Sequence, residues 1–228
     1  MAITIAVANQ KGGCGKTTAC MNLAGGLSKA GYKVLVVDAD PQGSAMKWRN
    51  MSEESRLPFQ LVAMATASIH RELPRIIQNA SYEVVLIDCP PGGASKGDST
   101  TRSAMLAADV VLMPVRPSPL DYQAAETVVP LLAEVAMMKP GLRAYVLVNA
   151  RAGNNLGKEA RDVALEMFRN SDVQIGVFSS ELSNLTAFTE SPATGRTVLD
   201  YAPGSKAADQ VIQLTNEVIG CLSQNVAA

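Results

Sequence analysis

One histidine stands in 228 residues, and the four cysteines, Cys14, Cys20, Cys89 and Cys221, contain no C-x-x-C pair. That argues against a zinc site or a two-cysteine redox motif. Reduced thiols in a cytoplasmic chain are the simplest reading. No apolar run approaches the roughly 18 residues needed to span a bilayer. The chain opens on Ile3-Thr4-Ile5-Ala6-Val7-Ala8 with no basic prefix, so this reads as a first strand and not as a signal peptide. Twenty Lys and Arg nearly balance 21 Asp and Glu, a net charge of −1. A general field for polyanions is thereby excluded, and any contact with nucleic acid must rest on a local patch. Beyond Lys206 there is no further Lys or Arg, only Asp209 and Glu217. A membrane-surface helix needs a basic polar face, so the apolar stripe Ala207, Ala208, Val211, Ile212, Leu214, Val218, Ile219 and Leu222 is expected to pack on the domain.

What is present suits one α/β domain over 1–228, with 47% hydrophobic and 18% charged residues. Short β-branched runs at Ile3–Ala8, Lys33–Val37, Phe59–Met64, Glu83–Ile87, Val110–Val115, Ala144–Asn149 and Val173–Phe178 read as buried strands. They alternate with helix-like segments at Lys16–Ala30, Gly43–Asn50, Ser68–Gln78, Ser99–Ala107, Leu120–Met138, Leu156–Asn170 and Ala207–Leu222. This alternation predicts a doubly wound, mostly parallel sheet with helices on both faces. Ligands of such sheets bind at the carboxyl ends of the strands, where the motifs of this chain cluster. The small, polar stretch Gly92–Thr100 reads as a mobile active-site loop, with a plain surface connection as the alternative.

Directly after the first strand comes Lys11-Gly12-Gly13-Cys14-Gly15-Lys16-Thr17-Thr18. Glycines let backbone N–H groups turn inward as an anion nest, and the following helix points its unpaired N–H groups at the same place. Lys16 would neutralise β- and γ-phosphates, and the Thr17 hydroxyl would ligate Mg²⁺. A glycine-rich βα turn without ligand has no need of Lys16 and Thr17. Cys14, beside Lys16 and a helix N-terminus, has features that lower a thiol's pKa; a small space-filling residue is the plainer reading, and a redox-sensitive loop the alternative. The second strand ends Val37-Asp38-Ala39-Asp40-Pro41-Gln42-Gly43, with two carboxylates on the same side of an extended chain. The fourth ends Leu86-Ile87-Asp88, a buried strand delivering a carboxylate toward Mg²⁺ through water. His70, in a polar helix start, is expected at the surface.

The phosphate loop has Gln10 where the general motif has its first glycine, and it carries a second lysine, Lys11. K-G-G-x-G-K-T-T resembles the deviant P-loop of the ParA/MinD superfamily of ATPases, and V-D-x-D-P-Q-G resembles that family's switch segment. The resemblance covers essentially the whole chain. It implies that Lys11 reaches across a homodimer to the partner's nucleotide, that Asp40 positions or activates the attacking water, and that Asp38 holds a water of the Mg²⁺ shell. It further implies ATP and ADP as ligands of residues 11–18, Thr17, Asp38 and Asp88 about the metal, and catalysis by Lys11, Lys16 and Asp40. With no N-terminal helix-turn-helix extension, the chain looks like the small ParA class. That class implies a bacterial, ATP-driven dimerisation switch for plasmid or chromosome partition. It would bind DNA non-specifically, associate with the nucleoid when ATP-bound, and be stimulated by a ParB-like or other cargo-adaptor protein.

Asn149 and Arg151 stand where related proteins contact adenine; for Asn149 the alternative is capping the next turn. Arg116, in Val115-Arg116-Pro117-Ser118-Pro119-Leu120-Asp121, either touches ligand or lies on the surface. Ser205-Lys206-Ala207-Ala208 and Thr189–Arg196 resemble family segments that make Lys206 and Arg196 candidate DNA contacts, against a reading as solvated charges. The arginine often found shortly before the second segment is replaced by Thr186 and Ala187. A related ATPase that positions carboxysomes, chemoreceptor clusters or a transfer complex would use the same machinery. A biosynthetic synthetase or iron–sulfur carrier on this fold is the reading from another class; the first has less need of Lys11 and the second needs paired cysteines.

Overall fold

Alternate residues of each inner strand enter different cores. Ile5 and Val7 of β1 (Ile3–Val7) pack on one face and Ala6 on the other, and Val34 and Val36 of β2 (Val34–Asp38) oppose Leu35 and Val37. β4 (Val84–Asp88) divides likewise, Val84 and Leu86 against Val85 and Ile87. Burial on both faces makes these runs continuously apolar, as expected of parallel strands. Each buried Val, Leu or Ile contributes about 1.5–3 kcal/mol, so neither layer of helices is dispensable.

The computed structural model describes residues 2–51, 57–92, 99–171 and 173–223. Most of the Gly92–Thr100 stretch, expected to be a mobile loop, lies outside the described residues. The remaining strands are β3 (Gln60–Ala63), β5 (Val110–Val115), β6 (Arg143–Val148) and β7 (Ile175–Val177). The sheet has the order β3-β2-β4-β1-β5-β6-β7, and every pairing is parallel. All seven expected strands are present. The register sets Asp88 beside both Val7 and Asp38, so the carboxyl ends of β1, β2 and β4 lie level.

α1 (Lys16–Lys29), α2 (Ser44–Arg49) and α11 (Lys206–Ser223) contribute to one core; α3 (Ile69–Ala80) and α4 (Ser99–Ala107) contribute to the other. α1 is buried through Ala19–Leu27 and carries Gly25 and Gly26 in its interior, at a cost of about 0.5–1 kcal/mol each against alanine. Close packing explains them: a Cβ at Gly26 would sit 2.0 Å from Thr215 Oγ1, and one at Gly25 would sit 2.8 Å from Thr197 Cγ2. The apolar stripe of α11 packs against α1, as its spacing predicts, except for Ile212, which is exposed.

Four features depart from the sequence reading. The helix expected over Leu120–Met138 is two, α5 (Pro119–Glu126) and α6 (Val129–Met138). Pro130 has no N–H for the Glu126 carbonyl, and its ring clashes there. The segment expected over Leu156–Asn170 is α7 (Asn155–Lys158) and α8 (Ala160–Phe168), interrupted at Glu159. α9 (Thr186–Glu190), a 3₁₀ turn over Ser191–Thr194 and α10 (Val198–Tyr201) were not anticipated, because four or five residues are too few to register a helical period. His70 is not a free surface residue. It is half-buried, with Nδ1 2.7 Å from Ser103 Oγ, and ties α3 to α4.

Candidate functional site

The loop between β1 and α1 is braced before any ligand is considered. Asn9 Nδ2 donates to the Pro114 carbonyl at 2.7 Å, and Asn9 Oδ1 accepts from the Lys11 N–H at 3.0 Å. Gly13 and Gly15 hold φ of 74° and 87°, the left-handed region that glycine tolerates. Gly15 is the N-cap of α1 and supplies no side chain to its first N–H groups, which leaves them directed into the loop. The Lys16 ammonium donates to the Lys11 carbonyl at 3.1 Å, so it lies across the loop.

Three aspartates meet this loop from the ends of β2 and β4. Thr17 Oγ1 donates to Asp88 Oδ2 at 2.7 Å, while the buried Asp88 Oδ1 has no hydrogen-bond partner among the described residues. Burial pushes the Asp88 carboxyl up to about 7; the Thr17 hydrogen bond opposes this, the Asp38 charge adds to it and Lys16 opposes it. Asp38 Oδ2 accepts from the Met46 N–H at 2.9 Å and Oδ1 from the Asp40 N–H at 3.3 Å, and burial raises its pKa as well. Asp38 thus anchors the start of α2. Asp40 Oδ1 accepts from the Gln42 N–H at 2.8 Å, and its side chain lines the cavity. A fully buried carboxylate with one oxygen unsatisfied and a hydroxyl on the other is a donor set that fits a hard divalent cation. Among the described residues no three His, Cys, Asp or Glu side chains form a metal cage.

The cavity over the loop measures about 630 Å³ and runs from Gly12–Thr18 past Asp40 and Lys47 to Trp48, Met51 and Pro192. A second hollow of about 160 Å³ shares Gly13, Gly15, Thr18 and Thr189 with it and reaches Arg116, Asn149, Asn184 and Phe188. Asn149 sits between loop and hollow. Its Nδ2 donates to the Cys14 carbonyl at 2.8 Å, and a Cβ on Gly15 would come within 2.2 Å of that nitrogen. Arg116 is exposed beside it. Arg151 is committed elsewhere, its Nε within 2.8 Å of Glu181 Oε2 and of the Gly157 carbonyl.

Burial raises the Cys14 thiol pKa and outweighs the opposing Lys16 charge, so the redox-sensitive reading of this cysteine is not supported. Arg196 and Lys206 are both exposed, after the 3₁₀ turn and at the start of α11.

Asp121 meets the loop through Lys11, a contact that the sequence does not signal. Lys11 Nζ lies 2.7 Å from its Oδ2, its Oδ1 is buried without a partner among the described residues, and the Ser118 hydroxyl also contacts Oδ2. Ser118-Pro119-Leu120-Asp121 reads as a helix-capping S-x-x-D, with Ser118 Oγ accepting from the Asp121 N–H. That pattern predicts an acidic third position but not a lysine 110 residues away.

Comparison with known proteins agrees with this geometry. Residues 5–198 match the CobQ/CobB/MinD/ParA nucleotide binding domain family. The chain is 30% identical over 224 residues to the maintenance of carboxysome distribution protein A of Halothiobacillus neapolitanus, covering 96% of this chain and 97% of that one. It is 28% identical over 246 residues to the chromosome-partitioning ATPase Soj of Thermus thermophilus, covering 94% of each. Among solved structures, the septum site-determining protein MinD of Pyrococcus horikoshii, complexed with Mg-ADP, superposes with a TM-score of 0.75 at 21% identity over 96% of both chains. A seven-stranded parallel sheet, a glycine loop carrying two lysines and level aspartates at its strand ends, together with a family match over most of its length, place this chain in the CobQ/CobB/MinD/ParA nucleotide binding domain family.

Proposed function

We propose that the protein is a Mg²⁺-dependent ATPase that works as a dimerisation switch. The meeting of Thr17 with Asp88, level with Asp38 and beside Lys16, carries this reading. Residues 12–18 bind the phosphates through backbone N–H groups, and Lys16 neutralises them. The Thr17 hydroxyl and Asp88, with Asp38 behind them, would hold Mg²⁺, which supplies divalent charge at the β- and γ-phosphate oxygens when bound. Asp40 orients a water toward the γ-phosphate by accepting its hydrogen bond. Asn149 and the adjoining hollow receive the base, with Asn149 already fastening the loop on that side.

Lys11 serves a second copy of the chain. It leaves Asp121 and offers its ammonium to the partner's phosphates, so charge stabilisation is complete only in the dimer and turnover of the single chain is slow. ATP therefore sets the association state, and ADP with phosphate release resets it. The Mg-ADP of the Pyrococcus structure and the ATPase named among the relatives support nucleotide and metal as ligands.

The ATP-bound dimer binds DNA without sequence preference through a composite basic face that includes Arg196 and Lys206, and an adaptor protein stimulates hydrolysis. The chromosome-partitioning relative supports DNA as the matrix. The carboxysome-distribution relative, matched over almost the whole of both chains, favours a second reading in which the cargo is a protein assembly. A DNA mobility assay with ATP, with ADP and without nucleotide tests the proposal. Retardation with ATP alone is expected; nucleotide binding with no retardation in any state at low salt would overturn the DNA reading.

A further inference from the structure

The backbone of Arg196–Val198 is fastened to both arms of the nucleotide site. On one side, Trp48 Nε1 donates to the Arg196 carbonyl at 3.0 Å. Trp48 is the one tryptophan of the chain, only 4% exposed, and stands on α2, whose first turn is held by Asp38 through the Met46 N–H. On the other side, the buried Asn22 of α1 accepts from the Val198 N–H at 2.8 Å and donates to the Thr18 carbonyl at 2.9 Å. Between these bonds Thr197 presses on Gly25 so closely that α1 has no room there for a Cβ. The Arg196 side chain nevertheless faces solvent. The chain thus turns at Gly195 (φ 67°) to expose a cation while its carbonyl and the next N–H but one are gripped from two directions.

Such a segment cannot stay still when its two grips shift relative to each other. α1 is fixed to the sheet along most of its length, whereas α2 is six residues long and is held at its start by the carboxylate of Asp38, which lies level with Asp88 at the strand ends. We propose that Trp48 is a positioning residue that transmits the state of the Asp38–Asp40 turn to Arg196, making the 191–198 segment the output element of the nucleotide site. This rests on the reading of Arg196 as a contact for the phosphates of nucleic acid. Asn22 and Gly25 form the fixed jaw of the device and the Trp48 indole the moving one. Replacing Trp48 by Phe retains a buried ring and removes the N–H donor together with part of the indole's volume.

The test is amide hydrogen exchange on the full chain with Mg-ADP and with a slowly hydrolysed Mg-ATP analogue, for the wild type and Trp48→Phe. Exchange over 191–198 should differ between the two nucleotides in the wild type, and that difference should shrink about fivefold in the variant, as expected for one hydrogen bond. Exchange in β1 and β4 reports that the variant is folded. A wild-type segment with identical exchange in both states overturns the proposal, whether or not the variant folds. An unchanged difference in a folded W48F does the same. In parallel, the ratio of DNA affinities with ATP and with ADP should fall by a similar factor in W48F, and an unaltered ratio overturns the link to Arg196. If the wild type binds DNA in neither state, the DNA reading fails while the exchange comparison still decides the mechanical one.

Discussion

Lys11 and Asp121 form an ion pair of 2.7 Å within a single chain, with the Lys11 side chain 35% and the Asp121 side chain 6% exposed. A lysine proposed to act on a second copy is therefore held in cis by a carboxylate that keeps one buried oxygen unpaired. Breaking the pair opposes dimerisation, and half-exposed pairs of this kind are worth about 1 kcal/mol or less. Lys11→Ala should abolish ATP-dependent dimerisation. Asp121→Asn should shift it to protein concentrations lower by about threefold, in keeping with such a pair. Light scattering behind size exclusion reads both, and an unshifted D121N curve would mean that the pair survives dimerisation.

Lys16 lies across its own loop on the Lys11 carbonyl, ready to exchange that contact for phosphate oxygens. Truncating a buried charged partner of a ligand costs about 2–5 kcal/mol, so Lys16→Ala should weaken nucleotide binding by about thirtyfold or more. Calorimetry with ATP and with ADP measures it. Tight ATP binding by K16A would remove the phosphate-cradle assignment.

Gly15 joins a left-handed φ of 87° to a position where a Cβ would meet Asn149 Nδ2 at 2.2 Å. Gly15→Ala should destabilise the protein by about 1–3 kcal/mol through strain and displacement of Asn149. Gly15→Ala with Asn149→Ala should recover the steric part but not the backbone part. Thermal melts of the two variants separate these contributions.

Asp88 binds its proton more tightly in the folded protein than in the unfolded chain, because burial lifts its pKa from 3.8 to about 7. With a raised folded pKa, the unfolded state loses its proton first, so this group lowers stability progressively as pH rises from about 4 to 7 and by a constant amount above that. The ligand-free protein should lose up to about 4 kcal/mol from this source, a loss absent in Asp88→Asn. Urea unfolding of both proteins at about pH 5 and about pH 8 checks the sign. The Thr17 hydroxyl keeps an acceptor in D88N, so the comparison isolates the charge. Adding Mg-ADP should remove much of the penalty in the wild type only.

DNA binding with ATP should fall steeply with salt, since each neutralised phosphate releases counterions. Arg196→Ala and Lys206→Ala should each reduce the slope of log affinity against log salt by about one if the residue touches phosphate. A variant with the wild-type slope acquits that residue and leaves the composite face to other cations.

The strands, the glycine loop and the three aspartates at strand ends are legible from residue order alone. These features are written in local order: short continuous apolar runs, glycines where φ turns positive, and polar residues placed at the end of a buried strand. Lys16, Thr17, Asp38 and Asp88 were legible because a parallel sheet brings its carboxyl ends together whatever the loops between them do. Other contacts arise from the packing of distant segments. It put His70 against Ser103 and set Asn149 on the Cys14 carbonyl. It tied Lys11 to Asp121 across 110 positions and Trp48 to Arg196 across 148. Such pairs leave no mark in spacing or periodicity. They exist because folding the α1 and α2 layer onto one face of the sheet, and the turn after β5 against the phosphate loop, makes neighbours of residues that no local rule connects.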